Sequence, residues 1–562
     1  MLQILFPKRF SLLKYFAIKY LIFSFIIRCI LFVLSISEID FSIVNFIQIF
    51  GIGLLFDVGS LSYLIAPYAL YLLFLPRIIS GSKLDKWTTN FFYFLFLFFL
   101  VFSLLSEITF WDEYQRRFNF IAVDYLLYTY EVIGNINESY PIPLLVSVII
   151  LITYFSIRIV KRKKAFEETF SNKNTFIKKL IPTAIIIIIT AGYHYGVDNE
   201  DAEIFENRFE NELAKSGVYS FFAAYKSNEL SYDEFYAKIN RDKAFSLIRK
   251  INSIQGDSLI KNNYSIRKTV FNTGPELKPN IIFIGLESMN AQFMERFGNT
   301  ENWTPTIDSL FNNSIAYSNL YAAGTRTIRG MEAITLAIPP TPGRSIVKRP
   351  KQESLYTIGS VFKEKEYTRT FFYGGDGYFD NLNNYFSSNG FDIVDKKKKY
   401  RVNEKLTTKR TNINDDEVTF ENAWGVCDED IYNKLLTVTD KQHATGKPFF
   451  NFVMNNSNHQ PFTYPDGVIE IPSGKNREGA VKYADLALKN FFINAKKKPW
   501  YKNTVFVVMS DHCAYSAGRT EINIERYHIP GMIINLPNQE NRVVDKLCSQ
   551  MDVFPTLFGY LN

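Results

Sequence analysis

Cysteine is scarce in this sequence, with four residues among 562. Cys29 lies in a long apolar stretch, which leaves Cys427, Cys513 and Cys548 for the more polar part of the chain. Three cysteines allow at most one bridge there, so a disulfide-stapled scaffold is excluded. The CxxC spacing of zinc fingers is also absent, which excludes that class of structural metal site.

A basic stripe with interleaved aromatic residues is missing as well. The formal net charge of +7 arises mostly from short basic segments between apolar stretches. Nucleic-acid-binding domains gather their positive charge on one face or along one helix. We therefore expect no nucleic-acid partner.

Long apolar runs, by contrast, fill the first 196 residues. Runs of sufficient length lie near 11–36, 42–76, 88–108, 140–160 and 177–195. A helix needs about 20 apolar residues to cross a hydrocarbon layer of ~30 Å. The second run is longer than that and contains Asp57 and Pro67, so it predicts either one kinked helix or two short ones. Asp57 must be paired or hydrated there; a bond between helices is the simpler explanation, and a functional role is the alternative.

Basic clusters predict the orientation of these spans, because positively charged loops stay on the cytoplasmic side. The clusters are Lys8, Arg9, Lys14 and Lys19 before the first run, Arg77, Lys83 and Lys86 after the second, and 158–164 after the fourth. Five spans place all three clusters inside, whereas six would break the pattern. The first run is too long for a cleavable signal peptide, and no small-residue cleavage site follows it. We predict a multi-pass membrane protein whose C-terminal half lies outside.

Charged sequence with a helical pattern follows the last apolar run. Phe205, Phe209 and Leu213 recur at four-residue steps and form one apolar stripe. The stripe predicts amphipathic helices along the membrane, although packing against a folded domain would produce the same pattern. Pro275 and Pro279 mark the next boundary. We therefore predict a five-helix transmembrane domain at 1–196, a helical connector at 197–275 and a globular domain at 276–562.

Strand-like and helical stretches alternate from residue 280 onward, which indicates an α/β fold with a largely parallel central sheet. Four apolar strands end in carboxylate or imidazole side chains. They are Ile281–Leu286 before Glu287 and Ser288, Tyr367–Tyr373 before Asp376, Pro448–Met454 before His459, and Asn503–Met509 before Asp511 and His512. In open α/β sheets, functional side chains collect beyond the carboxyl ends of the strands. The sequence therefore predicts a metal site at this rim of the sheet.

A hydroxyl-rich loop, Gly324–Thr327, lies between the first two of these strands and leads into a helical pattern. The N-terminus of a helix attracts phosphate because its N–H groups are unsatisfied. A hydroxyl there can attack phosphorus once a base or a metal ion lowers its pKa. Because carboxylate and imidazole ligands suit Mn²⁺ or Zn²⁺, we expect one such divalent ion, with Mg²⁺ as a further possibility.

Further residues are candidates for substrate contacts. His459 is one of only five histidines in the chain and closely follows a strand. Asp376 and Asn381, in the segment GGDGYFDN, are candidates for lining the substrate pocket. Trp424 fits either that pocket or a turn with a buried Trp. His528 fits either a substrate contact or simple packing.

Together these features resemble the lipoteichoic acid synthase group of the alkaline phosphatase/sulfatase superfamily. Its members are membrane phosphoglycerol transferases, related to phosphoethanolamine transferases. The resemblance covers nearly the whole chain. Its specific parts are the strand ending in Glu287 and Ser288, TPTIDSL at 304–310, GTRT at 324–327, SNHQPF at 457–462 and SDH at 510–512.

The resemblance implies residue roles at the matching positions. The metal ligands would be Glu287, Thr327, Asp511 and His512, and Thr327 would also be the nucleophile. The rival nucleophile is Thr325, but in the related transferases the second Thr of the G-T-x-T motif attacks. The resemblance assigns His459 to the substrate phosphate.

The sequence also departs from its relatives. Lipoteichoic acid synthases grip glycerol phosphate with a Trp and an Arg, whereas the corresponding Tyr378–Asn381 contains an aromatic residue but no Arg. The disulfide that brackets the nucleophile in phosphoethanolamine transferases is absent. The sulfatase pattern, Cys or Ser followed by x-Pro-x-Arg, is absent too, since Ile328, Arg329 and Gly330 follow Thr327. The headgroup therefore stays open.

We predict a transferase of the bacterial inner membrane, with its catalytic domain on the periplasmic or extracytoplasmic side. It would move glycerol phosphate, or phosphoethanolamine, from phosphatidylglycerol or phosphatidylethanolamine to an envelope glycan or lipid acceptor. The headgroup would pass through a phosphothreonine, with release of diacylglycerol. One alternative is a membrane-anchored, metal-dependent phosphodiesterase or sulfatase-like hydrolase with water as acceptor. Another is a non-catalytic lipid sensor, which predicts an incomplete set of metal ligands.

Overall fold

The computed structural model describes most of the chain, namely residues 7–127, 129–171, 174–227, 238–253, 258–259, 262, 264–269, 271, 274–341, 343–397, 406–515, 518–520 and 522–562. By its internal contacts the chain divides into two compact units. The membrane unit is Met1–Asn228 with Tyr515–Asn523, and the sheet unit is Glu229–Ala514 with Ile524–Asn562. The boundaries predicted at residues 196 and 275 stay predictions, and parts of the predicted connector lie outside the described residues.

Among the described residues, five helices are long and apolar enough to cross a membrane. They are Lys8–Leu34, Ile43–Phe74, Lys83–Tyr114, Ile142–Arg162 and Phe176–Gly196. These helices confirm the five predicted spans, and the second is one continuous helix that contains Pro67. The second and third begin where Ser42 and Ser82 accept hydrogen bonds from the N–H groups of Asn45 and Asp85.

Large apolar side chains cover the outer surfaces of these helices. Phe25, Leu55 and Phe99 are each at least 55% exposed within the protein itself. Apolar surfaces this extensive are stable only where hydrocarbon or another protein covers them. Together with the lengths of the helices, they make the chain a multi-pass membrane protein.

Asp57 pairs with Arg28 in the interior of the membrane unit. Nη2 of Arg28 donates to Oδ2 of Asp57 over 2.7 Å, and the two side chains are 1% and 4% exposed. Nη1 donates to the carbonyl oxygens of Leu213 and Lys215. The carboxylate inside the second span is therefore paired between helices, which is the simpler of the two explanations that the sequence offered.

The stripe of Phe205, Phe209 and Leu213 packs into the same apolar core as the membrane-spanning helices. Asn207 caps the short helix that carries the stripe, because its side chain accepts the N–H of Phe209. The shorter helices of this unit are Phe120–Leu127, Thr129–Ser139, Ala165–Ser171, Arg208–Ala214 and Gly217–Ser227.

Nine strands form the central sheet in the part of the chain that the structure describes. They are β1 (Asn280–Leu286), β2 (Ile315–Tyr317), β3 (Thr368–Tyr373), β4 (Asp392–Asp395), β5 (Arg410–Asn412), β6 (Phe449–Met454), β7 (Thr504–Ser510), β8 (Gly531–Ile534) and β9 (Arg542–Val544). Their order across the sheet is β9-β2-β8-β7-β1-β6-β3-β4-β5. Of these strands only β8 runs antiparallel to its neighbours, which confirms the largely parallel sheet.

Helices cover both faces of this sheet. They are Pro305–Asn312, Thr327–Leu336, Ile358–Glu364, Leu382–Ser388, Asp428–His443, Arg477–Ala495 and Gln550–Leu561. The helix Arg241–Asn252 of the same unit has no buried residue. Side chains alternate along a strand, so Ile281 and Phe283 of β1 face one apolar core while Ile282 and Ile284 face the other. Burial on both faces explains why β1 is an unbroken apolar run.

Short strands also pair outside the sheet, namely Ser258–Leu259 with Lys268–Thr269, Leu320–Tyr321 with Cys548–Ser549, and Glu421–Asn422 with Gly425–Val426.

Strands β1, β6 and β7 end side by side. In the parallel ladders Ser510 pairs with Leu286, and Met454 pairs with Gly285. The segments that follow these three strands therefore leave the sheet at the same edge, where the sequence predicts the site.

Candidate active site

The site converges on Glu287, which follows β1 and is 3% exposed. Its Oε1 accepts a hydrogen bond from the Ser288 hydroxyl over 2.7 Å and lies 3.4 Å from Nε2 of both His459 and His512. Its Oε2 accepts a hydrogen bond from the Thr327 hydroxyl over 3.4 Å. Three of the predicted site residues therefore surround one buried carboxylate.

Asp511 and His512 follow β7 and lie beside Glu287. Oδ1 of Asp511 accepts the N–H groups of Ser288 over 2.9 Å and of His512 over 2.8 Å. Its Oδ2 is buried, accepts no hydrogen bond from the described residues, and lies 3.5 Å from Nε2 of His512. Nδ1 of His512 lies 2.8 Å from the carbonyl oxygen of Cys513. That contact assigns the proton to Nδ1 and leaves the lone pair of Nε2 facing the carboxylates.

The electrostatics of this cluster favour a positive charge at its centre. Burial and the neighbouring Glu287 carboxylate raise the pKa of Asp511. Burial opposes the ionisation of Glu287, but His459 and His512 together lower its pKa. Burial also opposes the charged form of His512, yet the two carboxylates outweigh it and raise the pKa of this imidazole. Two buried carboxylates this close need a cation between them, either a protonated histidine or a metal ion.

The donor atoms fit a divalent metal ion. One ligand atom each from Glu287, Asp511 and His512 lies within 4.8 Å of the others. An orphan buried carboxylate oxygen, on Asp511, is the kind of group that a bound ion satisfies. Two carboxylates, an imidazole and the nearby Thr327 hydroxyl form a mixed set that suits Mn²⁺ or Zn²⁺. The described residues thus fit the predicted ion, and their roles as ligands stay predictions.

Thr327 is the first residue of the helix Thr327–Leu336. Arg326, at the N-cap position, makes no side-chain capping hydrogen bond to the helix. The N–H of Arg329 donates to the carbonyl oxygen of Arg326, so the first-turn N–H groups that can face an anion are those of Thr327 and Ile328. No hydrogen bond joins Thr325 to Glu287 among the described residues. Of the two candidate nucleophiles, Thr327 is therefore the one whose hydroxyl donates to Glu287.

His459 is held by Trp424. The two rings stack with centroids 4.2 Å apart and an interplanar angle of 20°. Trp424 is fixed in turn, because its Nε1 donates to the carbonyl oxygen of Gln460 over 2.5 Å. Burial lowers the pKa of His459. A neutral imidazole in a fixed plane beside Glu287 can donate one N–H to an incoming phosphate.

Two asparagines after β6 support the site, although the sequence assigned them no role. Asn455 accepts the N–H of Glu287 over 2.6 Å and donates to Oδ2 of Asp428 over 2.8 Å. Asn458 donates to the carbonyl oxygens of Glu287 and Ser288 over 3.0 and 3.1 Å. They hold the backbone turn that carries the Glu287 carboxylate. The sequence feature that could have indicated this role is the run NNSN at 455–458, directly after a predicted strand.

Asp376 and Asn381 already have hydrogen-bonding partners within the protein. Oδ1 of Asp376 accepts the N–H of Tyr378 over 3.0 Å and lies 3.4 Å from the Arg410 guanidinium. Nδ2 of Asn381 donates to the carbonyl oxygen of Val347 over 2.7 Å. Both side chains therefore shape the loop after β3, and their predicted contact with substrate stays a prediction.

The ring of His528 packs between two aromatic residues. It stacks on Tyr321 with centroids 5.1 Å apart and lies 4.7 Å from the ring of Phe297. Its Nε2 lies 2.9 Å from the carbonyl oxygen of Ser318 and donates to it. The hydrogen bonds and ring contacts of His528 thus differ from those of the Glu287 cluster, and its predicted substrate contact stays a prediction.

Comparisons with known proteins agree with this geometry. The sequence profile of the sulfatase family matches residues 279–562. The chain is 34% identical to a protein of the alkaline phosphatase superfamily from Vibrio parahaemolyticus, with a TM-score of 0.51 over 59% of this chain and 77% of that one. It resembles the integral membrane protein lipooligosaccharide phosphoethanolamine transferase A from Neisseria meningitidis at 11% identity, with a TM-score of 0.54 over 98% of this chain and 95% of that one.

A curated relative is lipoteichoic acid synthase 2 from Bacillus subtilis (strain 168), which is 22% identical over 331 residues. The match covers 54% of this chain and 48% of the relative, so the chain spans about half the length of this relative. The match to the Neisseria protein includes residues of both the membrane unit and the sheet unit, since it covers 98% of this chain. The resemblance that the sequence motifs indicated is confirmed.

Proposed function

The chain belongs to the sulfatase family of the alkaline phosphatase superfamily, and from this premise we propose that it is a membrane phospho-headgroup transferase. Its substrate would be a phospholipid, and its acceptor a glycan or lipid of the bacterial envelope. One observation carries the proposal: the Thr327 hydroxyl, at a helix N-terminus, lies 3.4 Å from Glu287 in a cluster with Asp511 and His512.

In the first half-reaction the hydroxyl oxygen of Thr327 attacks the phosphorus of the lipid phosphodiester. The Thr327 proton leaves, the bond between phosphorus and the diacylglycerol oxygen breaks, and that oxygen takes up a proton. A divalent ion held by Glu287, Asp511 and His512 would lower the pKa of the hydroxyl and neutralise charge on the phosphoryl oxygens. The products are diacylglycerol and a phosphodiester on Thr327.

In the second half-reaction a hydroxyl of the acceptor attacks the same phosphorus and restores Thr327. Phosphoryl transfer depends mainly on positioning and charge stabilisation. His459 supplies both, because Trp424 fixes its ring and burial keeps it neutral with one N–H to donate. The N–H groups of Thr327 and Ile328, at the start of the helix, add further donors to the phosphoryl oxygens.

Glycerol phosphate is the first choice for the transferred group, and phosphoethanolamine is the second. The named relatives support both, since one is a lipoteichoic acid synthase and the other a phosphoethanolamine transferase. The basic clusters near the ends of the first, second and fourth spans support a bacterial inner membrane with the sheet unit on the periplasmic side.

The proposal is tested with detergent-purified protein and fluorescent phosphatidylglycerol or phosphatidylethanolamine, supplied separately with Mn²⁺ or Zn²⁺. We expect metal-dependent diacylglycerol from one lipid, abolished by Thr327→Ala and retained by the matched variant Thr325→Ala. Mass spectrometry should find the headgroup on the peptide that contains Thr327. Undiminished release from a folded Thr327→Ala variant would refute the assignment.

Product analysis separates the transferase from the hydrolase. A transferase leaves the headgroup on Thr327 or on an added acceptor, whereas a hydrolase releases it into water. Absence of turnover of either lipid, with metal bound, would instead favour a sensor. The Glu287, Thr327, Asp511 and His512 side chains are all present, which speaks against that alternative.

A further inference from the structure

The helix Arg241–Asn252 of the sheet unit leaves one apolar face uncovered. None of its residues is buried, and Leu247, Ile248 and Ile251 are 47%, 38% and 73% exposed. Together with Ala244 they recur at the spacing i, i+3, i+4 and i+7, which places all four on one side of an α-helix. We refer to these four residues as the exposed stripe.

Another side of the helix packs against a neighbouring part of the chain, namely Asn262, Tyr264 and Ser265. The Tyr264 hydroxyl donates to Oδ1 of Asp242 over 2.6 Å, and the Phe245 ring meets the Tyr264 ring edge-on with centroids 5.5 Å apart. Nη1 of Arg249 donates to the carbonyl oxygens of the other two residues over 2.7 and 2.5 Å. Asp242, Phe245 and Arg249 are three and four residues apart, so they share a face. These contacts fix the rotation of the helix about its axis and leave the exposed stripe on a different face.

Basic side chains border the exposed stripe on both sides. Successive residues of an α-helix are rotated by about 100°, which places Lys243 and Lys250 beside Leu247 and places Arg241 beside Ile248. All three basic residues are exposed. Neither lysine has an ion-pair partner in the part of the chain that the structure describes. The helix therefore presents an apolar face with a positively charged rim.

Such a face matches the surface of a lipid bilayer that contains anionic lipids. In an interfacial helix the apolar side chains enter the boundary between headgroups and acyl chains, while flanking lysines extend to the phosphates. The charge of the rim is complementary to those phosphates. The five spans hold the chain in a membrane, and the last of them, Phe176–Gly196, precedes the helix in the chain. This tether gives the bilayer surface a high effective concentration, so even weak binding by a short helix is sufficient.

We propose that the helix Arg241–Asn252 binds the surface of the bilayer that the chain spans. The exposed stripe enters the headgroup boundary, and Lys243 and Lys250 contact anionic lipid phosphates. The helix belongs to the sheet unit, so this contact gives that unit an anchor of its own on the lipid surface. The inference goes beyond the proposed function, because it concerns where the sheet unit is held and not the reaction at Thr327.

The test places a fluorescent probe on this helix in the full chain, with one chain in each lipid nanodisc. In a background with Cys29→Ser and Cys548→Ser, which removes the two partly exposed cysteines, Ile251→Cys is labelled with an NBD maleimide. The discs contain phosphatidylcholine, a minor fraction of nitroxide-labelled lipid, and phosphatidylserine as an anionic lipid that is not a proposed donor. We expect blue-shifted emission and strong quenching by the nitroxide.

Ser246→Cys is the matched control for the position of the probe. Ser246 is exposed and lies in the same helix, but it is outside the exposed stripe. A probe at this position should show neither the blue shift nor the quenching.

Lys243→Gln combined with Lys250→Gln tests the charged rim. One basic residue near an anionic surface strengthens binding about fivefold. Removing two should therefore lower the ratio of bound to free helix roughly 25-fold, with a matching loss of quenching at Ile251→Cys. Replacing phosphatidylserine by phosphatidylcholine should also reduce the quenching. Lys489→Gln combined with Lys496→Gln removes the same charge from two exposed lysines elsewhere in the sheet unit and should have no effect.

Three results would overturn the inference. The first is equal quenching of the probes at 251 and 246, or quenching of neither. The second is a blue-shifted probe at 251 that nitroxide lipids do not quench, because protein would then cover the stripe. The third is quenching that depends neither on lipid charge nor on the two lysines, which would refute the role of the charged rim. The measurement involves no turnover, so absence of diacylglycerol release would contradict the proposed function alone.

Discussion

Gly330 packs directly against the main chain of Asp511: a Cβ atom on Gly330 would lie 2.4 Å from the carbonyl oxygen of Asp511. This contact brings the helix Thr327–Leu336 against the segment that follows β7. Glycine inside a helix lowers its stability by roughly 0.5–1 kcal/mol relative to alanine. The close approach explains why glycine stands here, because it brings the Thr327 hydroxyl within 3.4 Å of Glu287.

Gly330→Ala should therefore displace the nucleophile. The methyl group forces the helix away from Asp511, since a main-chain oxygen cannot yield as a flexible side chain does. A displacement of about 1 Å at a reacting atom can cost roughly 100-fold in rate. We expect diacylglycerol release to fall by about that factor while the protein stays folded, as measured by the lipid assay and by thermal unfolding.

Gly559→Ala is the control for that substitution. Gly559 lies in the helix Gln550–Leu561, and a Cβ atom there would meet nothing within 4 Å. Alanine should leave the rate unchanged and stabilise the helix slightly. Equal activity of Gly330→Ala and Gly559→Ala would show that the contact with Asp511 does not position Thr327.

The sequence predicts those parts of the site that topology alone determines. Parallel strands end at one edge of a sheet, so Glu287, Asp511 and His512 could be predicted to meet from the apolar runs that precede them. The role of Gly330 could not be predicted, because it depends on contact with Asp511, about 180 residues further along the chain. The local sequence pattern shows only that Gly330 lies in a helical segment.

The residues that hold the site in place could not be predicted for the same physical reason. Asn455 and Asn458, which follow β6, bond to the N–H and the carbonyl oxygen of Glu287 at the end of β1. Side-chain direction in a loop depends on tertiary packing, which has no periodicity to recognise. The membrane helices were easier to predict, because a run of about 20 apolar residues has few alternatives.

The second prediction concerns how much the ion pair of Arg28 and Asp57 contributes to the stability of the membrane unit. Asp57→Ala leaves the Arg28 guanidinium buried without its carboxylate, and breaking a buried pair typically costs about 3–5 kcal/mol. We expect a clearly lower melting temperature in detergent. Replacing both residues by apolar ones, as in Arg28→Met with Asp57→Leu, should recover only part of the loss, because Arg28 also donates to the carbonyl oxygens of Leu213 and Lys215.

Thermal unfolding of the two variants beside wild type measures this effect. Full recovery in the double variant would show that the hydrogen bonds from Arg28 to the 213–215 segment contribute nothing to stability. An unchanged melting temperature in Asp57→Ala would contradict the pairing itself. Lys482→Ala, which breaks an exposed pair with Glu470, is the control and should change stability by less than about 1 kcal/mol.

A third prediction concerns the side of the membrane on which the sheet unit lies. Ser37 follows the first span and Ile78 follows the second; both are exposed, Ile78 to 92%. In a background that carries Cys29→Ser and Cys548→Ser, which removes the two partly exposed cysteines, Ser37→Cys should react with a membrane-impermeant maleimide on intact spheroplasts. Ile78→Cys should react only after permeabilisation. The reverse labelling pattern would overturn the periplasmic placement.

The fourth prediction separates packing from substrate binding at His528. Burial lowers the pKa of its imidazole, which sits between Tyr321 and Phe297 and donates to the carbonyl oxygen of Ser318. Because the folded-state pKa lies below the unfolded value of about 6.5, the stabilising effect of the neutral ring is present above that pH and is lost as the pH falls through the folded-state pKa. Wild type should therefore lose more thermal stability between pH 7.5 and pH 5 than His528→Gln does.

The same variant reports on catalysis. If the ring only packs, His528→Gln should lower the melting temperature at pH 7.5 and leave the KM for the lipid within about twofold of wild type, since surface and packing changes away from substrate act on stability. A raised KM with an unchanged melting temperature would instead establish the substrate contact that the sequence offered as the alternative. Measuring both quantities on one preparation distinguishes the two roles, because packing and binding move them separately.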